Sequence, residues 1–153
     1  MKKLIILATV IVFFVLSGKE VFACSCLVDN EPSNVEQIQT SYGKADAVFY
    51  GKVIEVKRQT VKDESPGASY QNLRVKFKVE KSWKGQTTRE IIVRTASSSA
   101  ACGFLFKAGQ RYLVYASRSG DGLQTTNCSR TSALIADAKY LDKIKKPKLF
   151  SRK

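Results

Sequence analysis

The sequence contains no histidine. That absence removes the commonest general base, the Ser–His and Cys–His nucleophile pairs, and the usual catalytic zinc ligand. No carboxylate pair or Ser–Lys motif is legible in their place, so the chain reads as a non-enzyme that needs no cofactor. Residues 4–16 form an apolar run broken only by Thr9. It is too short for a bilayer-spanning helix, which needs about 20 apolar residues. There is no internal repeat, and no low-complexity segment apart from a lysine-rich end. Cysteine is scarce as well, with four in all.

What is present begins with a secretory pattern. Residues 1–3 are short and positive, residues 4–16 are apolar, and residues 17–23 form a more polar exit with Val21 and Ala23 at the two positions that matter. The expectation is a signal peptide over residues 1–23 and a single domain over residues 24–153, large enough for one core and not for two. The mature chain then begins Cys24-Ser25-Cys26 and is secreted into an oxidising compartment. A second reading takes Val21-Phe22-Ala23-Cys24 as a lipoprotein signal, with Cys24 acylated and the chain anchored on the outer face of a membrane. Phe22 fits that pattern poorly, and acylation would strand one cysteine.

An even set of four cysteines in an exported chain predicts two disulfides. Cys24 and Cys26 are too close to bridge each other comfortably, which leaves two connectivities open. Either one closes loops of roughly 75–105 residues, worth about 4 kcal/mol in the chain-entropy model. A zinc site built from all four cysteines would need reduced thiolates and a second close pair, whereas Cys102 and Cys128 stand apart.

Ser33-Asn34-Val35-Glu36 reads as a capping box, followed by Val35, Ile38 and Tyr42 at helical spacing and Gly43 as a stop. A strand is expected over 45–58, with Gly51 as a bulge or bend. Residues 59–69, containing Pro66-Gly67, read as a hairpin loop. Leu73, Val75, Phe77 and Val79 then alternate with charged residues in a half-buried strand ending at Trp83-Lys84-Gly85. Further strands are expected over 89–96 and 111–117 and near Leu123. A last helix, capped by Thr131 or Ser132, would carry Leu134, Ile135, Ala138, Leu141 and Ile144. Five antiparallel strands with flanking helices predict an all-β, closed or partly open small barrel.

These elements resemble the N-terminal domain of the tissue inhibitors of metalloproteinases, within the netrin-like group of five-stranded OB-fold barrels. The resemblance rests on Cys24-Ser25-Cys26 at the mature start, the helix feeding the first strand, and Lys81-Ser82-Trp83-Lys84-Gly85. It continues through Cys102-Gly103, Tyr112-Leu113-Val114 and Cys128, covering nearly the whole mature chain. It implies the bridges Cys24–Cys102 and Cys26–Cys128, and four cysteines leave none for the third bridge those inhibitors carry. It also implies a zinc metalloprotease as partner. The α-amine and carbonyl oxygen of Cys24 would chelate the protease's zinc and expel its attacking water. The amine must be neutral to bind, and a free α-amine with a pKa of about 7.7–8.0 loses its proton easily. Ser25 would enter the specificity pocket, Cys26 would anchor the segment, and Ala100 and Ala101 would lie against the cleft.

The alternative is a non-inhibitory extracellular module. The net charge is +13, and the lysine-rich end from about Lys143 reads either as a solvated tail or as a hold on anionic cell-wall polymers or a membrane surface. Phe49, Tyr50, Phe77 and Trp83 would suit base stacking in an OB fold, but their spacing is more simply core packing. Export argues against nucleic acid as a partner.

Overall fold

A computed structural model describes Cys24, Cys26 and residues 35–62, 69–85, 88–120 and 122–150. The expected signal peptide, Ser25, Ser33-Asn34 of the capping box, and Pro66-Gly67 lie outside those residues. In chain order the elements are α1 (Val35–Lys44), β1 (Ala47–Lys62), β2 (Ser69–Lys84), β3 (Glu90–Ala96), β4 (Arg111–Ser119), β5 (Gly122–Gln124), α2 (Ala138–Ile144) and β6 (Lys148–Leu149).

β1 pairs antiparallel with both β2 and β4. β4 continues to β5, β5 lies parallel to β3, and β3 returns to β2. Five strands therefore close into a ring, in keeping with the OB-like fold expected. β1 can serve two neighbours because it bends: its register against β2 shifts between Tyr50 and Gly51 and again between Val53 and Glu55. Gly51 is required there, since a Cβ would stand 2.8 Å from the Lys78 carbonyl oxygen.

The alternation read in β2 holds. Leu73, Val75, Phe77 and Val79 are buried inside the ring with Phe49, Val53, Val93, Phe106 and Tyr112. Edge-to-face ring contacts run from Phe49 to Phe77 (5.4 Å), on to Phe106 (5.1 Å), and then to Tyr112 (5.0 Å). A second apolar cluster covers the ring's outer face. There Val48, Leu113, Tyr115 and Trp83 pack against Ile38 of α1 and against Ala138 and Leu141 of α2. Phe49, Phe77 and Trp83 are thus core residues rather than stacking platforms.

Four expectations need correction. Residues 59–62, read as part of the hairpin loop, extend β1 and pair with residues 69–72 of β2. The strands are not all antiparallel, because β5 lies parallel to β3. α1 runs past Gly43 to Lys44. The last helix starts at Ala138, not at Thr131 or Ser132. Ser132 instead exchanges main-chain hydrogen bonds with Leu113 at 2.8 and 2.9 Å, which holds it extended against β4. Leu134 and Ile135 are left 68% and 42% exposed. The described lysines of the lysine-rich end are exposed, as a solvated end requires, but residues 148–150 are also held on the sheet. Lys148 and Leu149 pair with Ser82 and Lys81 of β2, and the Phe150 amide donates to the Glu80 carbonyl at 3.0 Å.

Candidate functional site

Two disulfides attach the N-terminal segment to two loops at one edge of the ring: Cys24 to Cys102, with Cα atoms 5.2 Å apart, and Cys26 to Cys128, at 5.1 Å. These are the bridges the resemblance implied. Cys24, Cys102 and Cys128 sulfurs lie within 4.8 Å of one another. All four cysteines are oxidised in bridges, however, so none is a thiolate and the four-cysteine zinc site is not formed.

The Cys102 loop is shaped by its small residues. Ser99–Ala101 make one turn of 3₁₀ helix, whose Ala101 amide donates to the Ser98 Oγ at 3.3 Å. Cys102 closes the turn in the left-handed conformation, φ 61°, with its amide on the Ser99 carbonyl at 3.0 Å. A Cβ on Gly103 would run into the Ala96 carbonyl oxygen, so only glycine fits. Next, the Phe104 amide donates to Thr95 Oγ1 at 2.8 Å, and Phe106 plugs the ring. Cys102 is fixed between a capped turn and an aromatic anchor. Ala100 and Ala101, expected beside the partner's cleft, are exposed on that turn.

The Cys128 loop is tied to the first one, because the Asn127 amide donates to the Cys102 carbonyl at 3.0 Å. The side-chain oxygen of Asn127 sits 3.5, 3.7 and 3.3 Å from the sulfurs of Cys24, Cys26 and Cys128. Disulfide sulfurs carry no proton, so these are packing contacts. Below them the Thr125, Ser129 and Thr131 hydroxyls lie 2.6–3.0 Å from one another, against the main chain of Tyr115. Deeper still, Arg130 forms a bidentate pair with Asp137 at 2.8 and 3.1 Å and donates to Gln37 of α1 at 3.2 Å. Asp137 also accepts the Tyr115 hydroxyl at 2.9 Å. Burial, then the Asp137 charge, pushes the Tyr115 phenol well above its ordinary value. A satisfied buried network of this kind fixes the loop that carries Cys128.

No motif or periodicity pointed to Asn127 or to the Tyr115–Asp137–Arg130 set. The run Thr125-Thr126-Asn127-Cys128-Ser129 is the one available signal, since clustered short polar side chains favour local main-chain bonding. Ser25 lies outside the described residues.

A five-stranded ring, helices on its outer face and a twice-bridged N-terminal segment define a netrin-like, OB-like module. The sequence profile of the tissue inhibitor of metalloproteinase family matches residues 22–135, a span holding all four cysteines and the whole ring. The chain belongs to that family, whose members are extracellular inhibitors rather than enzymes and whose partners are metalloproteinases. Among curated proteins no sequence matches it.

Proposed function

We propose that the chain is a secreted inhibitor of zinc metalloendopeptidases that acts through a mature N-terminus at Cys24. The α-amine and carbonyl oxygen of Cys24 form a five-membered chelate on the protease's zinc and displace the water that would attack substrate. Ser25 fills the adjoining specificity pocket, and Ala100 and Ala101 line the cleft beside it. The observation that supports this most is the double pinning of residues 24 and 26 to loops that are hydrogen-bonded to each other. A wedge held in advance loses little ordering entropy on binding, which a free peptide of the same sequence would have to lose. No comparable argument favours the non-inhibitory module.

One alanine inserted ahead of Cys24 tests the reading. It leaves both bridges in place but moves the free amine one residue away from any zinc. Inhibition is expected to fall by at least about a thousandfold, more than 4 kcal/mol of binding, with both disulfides still found by peptide mapping. Equal inhibition by the extended and native proteins would sink the chelation mechanism. An intact mass showing diacylglycerol on Cys24, or a start at another residue, would remove its premise.

A further inference from the structure

Residues 143–149 lie beyond the part of the chain matched by the family profile, yet they are built into the fold. The Lys145 amide donates to the Leu141 carbonyl at 2.9 Å, ending α2. Lys148 and Leu149 are held on β2 as β6. Within this ordered segment every residue except Pro147 is exposed. Four of the seven are lysine and none is acidic.

The structure adds to this charge a residue distant in sequence. Lys145, Lys146 and Lys148 line one hollow together with Lys84, at the end of β2. Lys84 also donates to the Tyr42 and Gly43 carbonyls at 2.8 and 3.1 Å. Two acids lie close by: Asp142 accepts the indole N–H of Trp83, which lines the same hollow, at 2.8 Å, and Glu80 pairs with Arg111 at 2.9 Å. The segment also exposes apolar side chains. Leu149 is 66% exposed and shares a second hollow with Tyr50, Glu80, Lys81, Ile135 and Phe150, while Ile144, 41% exposed, borders a third beside Lys143 and α1.

We infer that this face is a docking surface for an anionic phospholipid membrane. Lysines supply attraction to negatively charged headgroups, while Leu149, Ile144 and Ile135 supply side chains that enter the headgroup–acyl boundary. A polyanion dissolved in water accounts for the lysines but gives no role to the exposed apolar side chains in the neighbouring hollows. Because α2 and β6 already order the segment, docking requires little further ordering. The inference does not depend on the inhibitor reading.

The test is co-sedimentation of the secreted protein with phosphatidylcholine vesicles, with and without phosphatidylglycerol. The protein is expected to partition onto the phosphatidylglycerol vesicles only. Substituting Lys145, Lys146 and Lys148 by Gln together lowers the partition coefficient by about a hundredfold. Leu149→Ser lowers it by about tenfold and removes the binding that survives high salt. Ile144→Ser, on an exposed helix position, gives the same direction if Leu149→Ser disturbs β6; peptide mapping of both bridges and Tm report whether each variant is folded. Absence of binding to phosphatidylglycerol vesicles overturns the proposal. So does an unchanged partition of folded Leu149→Ser and Ile144→Ser variants together with full competition by soluble polyphosphate, which would assign the lysines to a dissolved polyanion.

Discussion

The interior of the ring is held by apolar side chains and edge-to-face aromatic contacts, whereas the edge carrying Cys24 and Cys26 is held by two covalent bridges over a buried polar knot. Inside the ring the stabilisation is spread over many small contacts, so conservative exchanges lose little and large truncations lose in proportion to the volume removed. At the edge it is concentrated in a few bonds with specific partners, and deleting one partner strands the other. The half that supports the fold tolerates conservative exchanges, though not large truncations. The half that positions the N-terminal segment tolerates neither.

The largest stability loss that would break this contrast is expected from Phe77→Ala. It empties the centre of the aromatic chain and should lower unfolding free energy by about 3–5 kcal/mol, read by denaturant titration. Arg130→Ala should approach the same size, about 3 kcal/mol or more, because it leaves Asp137 charged and buried. The two are told apart by Phe77→Leu and Arg130→Lys. The interior variant should recover most of the loss, whereas the lysine should not, since it cannot reproduce the bidentate geometry.

Replacing Cys26 and Cys128 together by Ser should cost about 2–5 kcal/mol. It should also weaken metalloprotease inhibition well beyond what the stability loss explains, with inhibition measured where the variant is still folded. If inhibition survives in full, pinning is not what the edge contributes.

A smaller effect is expected at high pH. The Tyr115 phenol is raised above 10.0 in the folded protein, so its contribution is fully present below pH 10. Above that, the unfolded chain loses the proton while the folded one keeps it, and stability falls by about 1.4 kcal/mol per pH unit. Tyr115→Phe should remove that part of the alkaline slope.

The smallest effect is the control. Lys57 holds the Glu55 carboxyl below its usual range through a 2.9 Å contact, which stabilises above the ordinary carboxylate value and is lost as pH falls. Glu55 is too exposed for this to matter, so Glu55→Gln should leave Tm unchanged.

The order of elements as far as the last helix, the inward face of β2 and the bend at Gly51 were legible before folding, because each rests on local periodicity or a turn residue, and the family was legible as a resemblance; β6 was not. Cysteine spacing left the bridge pairing open between two connectivities until the family resemblance chose one. Long-range packing makes Ser132 pair with β4 instead of starting a helix, since the main-chain exchange with Leu113 outweighs the local helical pattern. The same holds for the knot under Cys128. Asp137 stands just before α2, Arg130 sits in a turn and Tyr115 lies in an apolar strand, and nothing in their spacing joins them before β4 and α2 pack together. The lysine-rich end became a built surface for a similar reason. Its pairing uses the edge of β2 at Lys81 and Ser82, which β3 leaves open because it pairs only with residues 72–78.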